Sequence, residues 1–380
     1  MGQNKRIGMV VVGHPVFRQP CLINTVVALR REGYQVDLIT AYGEEFPEHD
    51  FRDDGVSTFT YRWGQPSGFL GRIAKRVGFI ALALKVSWGK RYTCLIGVDP
   101  GGLIVASLIG AILRVPTIYY SLELYMSGDN HGIKFRFKKM LERLCNQRAV
   151  STIVQDESRG PCLVTDNQID RAQILIVPNS PMGEPRITQR DWWHRRFGLR
   201  PEQRVILQAG GITEWSLSYE LAEAALKWPD DWALILHGYG RSDYLARIQE
   251  IVAKSNRRVF LSREMVPYSQ LDNLIASADI GIALYRNVDQ NFFHMASGKV
   301  THYLRCGLPV VAQNFPNLRS LLHDNRCGIC VAHPAEVRDA IEYILLNYEE
   351  FSRNAIRCYV EKLEFGKHFQ QVLKKIAELS

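Results

Sequence analysis

Residues 291–313 read NFFHMASGKVTHYLRCGLPVVAQ. Ser297, Gly298 and Lys299 form a short polar stretch just ahead of a helical run, and Gly307-Leu308-Pro309 turns the chain into a β-rich segment at 310–313. A helix N-terminus presents unpaired backbone N–H groups and the positive end of the helix dipole, so it suits an anion. A lysine beside it adds a full charge. Two more small-residue loops stand in the same half, Gly210-Gly211-Ile212 and Gly238-Tyr239-Gly240-Arg241. Glycines let backbone N–H groups come close to a ligand. Lys299 and Arg241 would offset the two to three negative charges of a nucleotide diphosphate in a dry site. A glycine at one strand-to-helix turn is also explained by tight packing; three such loops on one sheet edge favour a nucleotide.

The elements that must position these loops are legible as patterns. Ile7 to Val12 is an apolar run without polar alternation, as in a parallel strand buried on both faces. Strands are expected at 36–40, 94–98, 117–120, 152–155 and 174–177, with helices near 21–32 and 134–148 between them. The second half repeats the theme, with strands at 205–208, 233–236, 259–261, 280–283 and 310–312 and helices near 217–227 and 243–254. This is βαβ repetition, hence doubly wound parallel sheets. The reading is two Rossmann-like domains, 1–180 and 204–350, with a polar, Trp-rich linker at 181–203 and a C-terminal helical segment at 351–380 packing back on the first domain. Ligands of such sheets bind beyond the carboxyl ends of the strands, so the chemistry is expected in a cleft between the halves.

The chain has 380 residues, 46% hydrophobic and 23% charged, which suits a globular protein of two domains. No secretory signal, myristoylation or membrane span is expected, since the apolar runs at 7–12 and 103–113 are too short. Eight scattered cysteines fit a reducing compartment. Cys327-Gly-Ile-Cys330 is a lone CxxC, read as two half-buried thiols at a strand start. No GxxxxGK[ST] is present, and Gly13-His14-Pro15 follows the first strand where a dinucleotide site would have GxGxxG. No HExxH or EF-hand loop appears, so no metal and no cofactor are expected.

Residues 1–190 hold 24 Lys and Arg against 17 Asp and Glu; residues 191–380 hold 23 against 22. The basic excess therefore belongs to the first half. It is concentrated at 62–91, including Arg72, Lys75 and Arg76, and at 134–148, including Lys134, Arg136, Lys138 and Lys139. Both stretches combine these cations with Phe, Leu and Ile at helical spacing. Such faces suit an anionic membrane surface, and a solvated helix face is the simpler alternative. No nucleic-acid module is present, so nucleic acid is not expected as a partner.

Several of these stretches together resemble the GT-B glycosyltransferases, in particular family 4, the group 1 retaining enzymes. Ile176-Val-Pro-Asn-Ser180 resembles the family's V-P-N-G exit from the first domain. Leu207-Gln-Ala-Gly-Gly211 resembles its first glycine loop, and 266–284, VPYSQLDNLIASADIGIAL, the segment ahead of the donor site. Lys299 to Ala312, KVTHYLRCGLPVVA, resembles its K-L-x-E-Y-[LM]-A-x-G-x-P-V-[IV]-A stretch, the most specific of these likenesses. The resemblance implies a GT-B fold and a nucleotide sugar held in the second domain, its diphosphate on Ser297, Gly298 and Lys299. The base would meet the backbone at 263–266, around Met265. The family's two glutamates, eight positions apart, fall on His294 and His302, and its Arg and Lys after the first glycine loop are replaced by Glu214 and Trp215. His302 can hydrogen-bond a ribose hydroxyl or be a helix residue packed against the sheet.

The resemblance further implies a glycan or lipid-linked acceptor held by the first domain, in cell-surface polysaccharide synthesis. His14, Asp99 and Glu123 are the polar residues at strand ends there, expected to orient an acceptor hydroxyl; ordinary loop capping is the alternative for the two carboxylates. In retaining transfer a donor phosphate oxygen can take the proton, so no strong protein base is needed. The expected location is the cytoplasm, with peripheral docking on the inner membrane face. Two other functions remain open: a GT-B epimerase or hydrolase of nucleotide sugars, and a scaffold that binds a nucleotide sugar without turning it over.

Overall fold

The computed structural model describes residues 5–44, 46, 51, 53–64, 68–129, 132–187, 191–264 and 266–379. It divides into two compact units, 1–178 with 365–380, and 179–364.

The first unit runs β1 (Arg6–Val12), α1 (Pro20–Arg31), β2 (Gln35–Gly43), β3 (Val56–Trp63), α2 (Gly68–Ser87), β4 (Cys94–Val98), α3 (Asp99–Leu113), β5 (Thr117–Tyr120), α4 (Ile133–Asn146), β6 (Ser151–Val154), α5 (Arg159–Asn167) and β7 (Ile174–Ile176). Among the described residues seven strands form one parallel sheet, in the order β3-β2-β1-β4-β5-β6-β7. Ile7, Met9, Val10 and Val11 of β1 are all fully buried, as a strand covered on both faces requires. The elements outside the expected pattern are β3 and α5. The edge strand β3 (VSTFTYRW) is only half-buried along most of its length, so it lacks an apolar run.

The second unit runs α6 (Trp192–Phe197), β8 (Arg204–Gly211), α7 (Ser218–Ala225), β9 (Trp232–Tyr239), α8 (Ser242–Lys254), β10 (Val259–Ser262), α9 (Tyr268–Ile275), β11 (Ile280–Ala283), α10 (Gln290–Phe293), α11 (Gly298–Arg305), β12 (Val310–Gln313), α12 (Pro316–Asp324), β13 (Gly328–Val331), α13 (Val337–Leu346) and α14 (Tyr348–Cys358). Among the described residues its six strands are parallel, in the order β10-β9-β8-β11-β12-β13. Consecutive residues feed opposite layers: Leu207 and Ile235 pack with Trp193, Phe260 and Tyr303, while Ile206 and Leu234 pack with Ile248 and Ile341.

Two expected boundaries are corrected. The segment 181–203 is not a linker outside the domains. Its α6 places Trp193, fully buried, in the core of the second unit, where the indole N–H donates to the Leu274 carbonyl at 3.0 Å. At the C-terminus, residues 351–364 stay with the second unit, and α15 (Phe365–Ala377) belongs to the first. There α15 packs against α1, and Gln371 Nε2 donates to the Ile176 carbonyl at 2.6 Å.

Both sheets wind outward in two directions from a central pair, β1 and β4 in one and β8 and β11 in the other. At such a switch point neighbouring loops leave toward opposite faces, and a crevice opens beyond the strand ends. His14 follows β1, Asp99 follows β4, and Gly210 and Gly211 end β8.

Candidate functional site

In the second unit the site is built around the start of α11. Ser297 is the N-cap: its Oγ accepts from the Val300 N–H at 3.3 Å and stands 2.6 Å from the Tyr285 hydroxyl. The first N–H groups of the helix have no intrahelical acceptor. Asn179, from the chain entering the unit, secures this turn. Its Nδ2 donates to the Ala296 carbonyl at 3.3 Å, and its own carbonyl accepts from Thr301 Oγ1 at 2.8 Å.

Lys299 is half-buried, 5.6 Å above the centre of the Tyr285 ring. Among the described residues no carboxylate lies within ion-pair distance of it. Burial pushes its pKa down from the ordinary lysine value to about 8. An ammonium held in this way, at the positive end of a helix, lacks a counter-anion that the fold does not provide.

The glycines are explained in two ways. Gly210 has φ +108°, and a Cβ there would lie 2.8 Å from Lys299 Cε, so it makes room for the lysine. Gly238 has φ +145°, and a Cβ there would lie 1.8 Å from the Gly210 carbonyl oxygen. Its glycine is demanded by the close passage of β9 past β8, where the two residues are paired in register. Gly211 has ordinary room.

Arg241 is not gathered into the pocket. It is an exposed residue at the start of α8, with its Nε 3.1 Å from Asp243 Oδ1 and a second contact to the same carboxylate. A partner two residues on satisfies the charge that the sequence reading assigned to phosphate. His294 ends α10 half-buried, with its ring edge-on to Phe293 at 5.1 Å. His302 is 7% exposed, and its Nδ1 lies 3.6 Å from Asp272 Oδ1 on α9. The other Asp272 oxygen receives Arg305 Nη1 at 2.9 Å. Met265 lies outside the described residues.

In the first unit the strand-end residues meet at the β1/β4 switch point. Asp99 has φ +53°, in the left-handed region and directly before Pro100, and is 8% exposed. Its Oδ1 accepts the backbone N–H groups of Leu122 and Glu123 at 2.9 and 3.0 Å, and its Oδ2 lies 3.8 Å from His14 Nε2. The 121–123 loop is held from its carbonyl side as well. Gln155 Nε2 donates to the Ser121 carbonyl at 2.7 Å, and the buried Arg159 donates to Leu122 at 2.5 Å. Glu123 itself is exposed at the top of this loop. Oδ1 thus caps the 122–123 backbone, as the loop-capping alternative expects, while Oδ2 faces His14.

The basic stretches form α2 and α4. Arg72, Arg76, Lys134 and Arg136 are exposed among exposed Ile73, Val77, Ile133, Phe137 and Met140. Lys75 is half-buried and donates to the Gly64 carbonyl. Lys138 sits 4.4 Å from the Tyr125 ring centre. Burial, and to a lesser degree the Arg76 guanidinium, push the Lys138 pKa below the ordinary lysine value. Lys139 is a correction: only 4% exposed, it pairs with Asp166 at 2.7 Å and Glu142 at 3.2 Å inside the unit and cannot meet a surface partner.

Among the described residues no cluster of three or more His, Cys, Asp or Glu is arranged to hold a metal ion, and no helix is long and apolar enough to cross a membrane. Asn179, Tyr285, Gln155 and Arg159, whose hydrogen bonds hold these loops, are not among the residues expected from the sequence. Only Asn179 carried a signal, as part of the V-P-N stretch.

Residues 203–347 match the family described as Glycosyl transferases group 1. Comparison with curated proteins finds no match. The whole fold is shared with solved structures at low identity. Anabaena HepE in complex with UDP-glucose is 14% identical at a TM-score of 0.72, covering 98% of this chain and 99% of that one. Sucrose-phosphate synthase from Thermosynechococcus elongatus is 15% identical at 0.73, covering 99% and 100%. WaaG, a glycosyltransferase involved in lipopolysaccharide biosynthesis, is 14% identical at 0.68, covering 97% and 99%. The two Rossmann-like units are the GT-B architecture of these relatives.

Proposed function

We propose, from the premise that residues 203–347 belong to the glycosyl transferases group 1, that this transferase moves a glycosyl group from a nucleotide sugar to a glycan or lipid-linked acceptor in cell-surface polysaccharide synthesis. The observation that carries the reading is Lys299, a desolvated ammonium with no carboxylate partner among the described residues, at the N-terminus of α11. The donor's diphosphate supplies the missing counter-charge. HepE, of like fold, was solved with UDP-glucose.

As the bond from the sugar C1 to the phosphate oxygen breaks, negative charge grows on the departing diphosphate. Lys299 and the leading N–H groups of α11 stabilise that charge. The acceptor hydroxyl forms the new bond to C1 on the same face, with retention, and its proton passes to the departing phosphate oxygen. Asp99, His14 and Glu123 orient that hydroxyl. No metal enters the scheme. His302, steadied by Asp272, serves the ribose, and the backbone around Met265 the base. The exposed cations and apolar side chains of α2 and α4 dock the chain on the anionic inner face of the cytoplasmic membrane, close to a lipid-linked acceptor.

A thermal-shift screen of UDP-, GDP-, dTDP- and ADP-sugars tests the reading. A donor at a hundred times its Kd adds about 2.7 kcal/mol to stability and raises the Tm. The Lys299→Ala variant should lose that shift. A screen without any shift, or a Lys299→Ala chain that binds like the wild type, would sink the proposal.

A further inference from the structure

We propose that Trp215 and Phe292 form a stacking shelf for the pyranose ring of the donor's glycosyl group, an inference that rests on the donor reading above. Trp215 is 50% exposed, yet it sits on a tightly built turn. Thr213 Oγ1 accepts the Ser216 N–H at 3.3 Å, Ser216 Oγ donates to the Gly211 carbonyl at 2.7 Å, and Gln208 Nε2 donates to the Ser216 carbonyl at 2.8 Å. The Trp215 carbonyl accepts the Arg286 N–H at 2.8 Å. The indole is therefore held out by a fixed backbone, and slack chain does not account for its exposure.

Its neighbour is equally fixed. Phe292 lies on α10, whose first turn is capped by Asp289 Oδ1 accepting the Phe292 N–H at 2.9 Å. The two ring centres are 5.9 Å apart and tilted by 37°. Two chain segments connect the shelf to the residues around Lys299. Trp215 comes four residues after Gly211, and Arg286, bonded to its carbonyl, directly follows Tyr285, whose ring lies beneath Lys299.

A pyranose presents polarised C–H bonds on one face, and an aromatic ring presents a negative π face that attracts them. The charges nearby narrow the class of sugar. Arg286 is tied to Glu220 at 2.6 Å, and Arg241 is tied to Asp243 and also feels the charge of Glu214. With Arg286 and Arg241 both paired to carboxylates, neither is ready to receive a uronate carboxylate, so the shelf takes a neutral hexose.

The test compares the wild type with Trp215→Ala and Trp215→Phe by calorimetric titration with UDP, UDP-glucose and UDP-glucuronate. If the screen above finds a different base, the matching diphosphate and its glucose and glucuronate esters take their place. The expected result is diphosphate affinity unchanged in all three chains, a loss of about fivefold for the glucose ester in Trp215→Ala, and partial recovery in Trp215→Phe. The glucuronate ester should bind the wild type more weakly than the glucose ester. If the diphosphate binds but the glucose-dependent part of the affinity survives Trp215→Ala, the shelf is wrong and the donor reading stands. If no nucleotide binds the wild type, both fall.

Discussion

The α-hydrogen side of Gly210 is the space that the Lys299 side chain occupies: a Cβ at that glycine would lie 2.8 Å from Lys299 Cε. Lysine and glycine loop, 89 residues apart in sequence, are thus one device. Gly210→Ala should displace the ammonium and also strain a backbone with φ +108°, at a cost of about 1–3 kcal/mol. The expected outcome is a Tm lower by several degrees and nucleotide-sugar affinity reduced at least about tenfold. Calorimetry on the folded variant separates the two; full affinity at a reduced Tm would show that the lysine does not depend on this gap.

The low pKa of Lys299 gives two pH effects of opposite sense. Binding an anion needs the charged form, so donor affinity should be steady below about pH 8 and weaken as pH rises through that value. Stability runs the other way. The folded-state pKa lies below the unfolded value, so folding penalises the ammonium. Stability should therefore rise as pH climbs from about 8 toward the ordinary lysine range near 10.5. Lys299→Met, which removes the buried charge, should raise the Tm at pH 7 while abolishing donor binding. A lower Tm in that variant would mean the ammonium has a partner within the fold.

Asp99 and Glu123 should separate by experiment, although they share one hydrogen bond. Asp99→Ala leaves the Leu122 and Glu123 N–H groups without their acceptor and keeps the left-handed backbone, so it should cost about 2–4 kcal/mol and collapse turnover. Glu123→Gln changes only an exposed side chain. It should lower kcat with donor affinity and Tm unchanged, and unaltered kcat would remove the carboxylate from acceptor orientation.

Lysines that read alike in sequence should behave differently on α4. Replacing Arg72, Arg76, Lys134 and Arg136 together by Glu should abolish pelleting with phosphatidylglycerol vesicles, since each basic residue near an anionic surface contributes about 1 kcal/mol. The Tm should hardly move. Lys139→Ala should instead cost about 3–5 kcal/mol, because it leaves Glu142 and Asp166 buried without their cation. Binding that ignores the anionic lipid would count against the docking face.

What the sequence made legible was whatever repeats at short range. Strands such as Ile7–Val12 and Ile280–Ala283 are apolar because both faces are covered, and the pattern reads directly. Ser297-Gly298-Lys299 was legible for the same reason, since a cap and the helix it starts are neighbours. The failures have long-range causes. Trp193 looked like part of a polar linker because α6 is too short to show a period and its partner, Leu274, is 81 residues away. Lys139 looked like surface because the carboxylate that buries it, Asp166, arrives on α5. Arg241 looked available, and the aspartate two residues on had already claimed it. Asp99 is legible as a strand-end residue, while its left-handed backbone before a proline follows no local preference.

Because α15 returns to the first unit, the polypeptide crosses from one unit to the other twice, at 178–179 and at 364–365. The final helix buries Phe365, Phe369, Val372 and Ile376. A single recombination event within such a gene would therefore strand that helix with the wrong companion. Lineages that exchange the first unit while keeping the second need matched exchanges on both sides of residues 179–364, which ties the inheritance of residues 1–178 to that of α15.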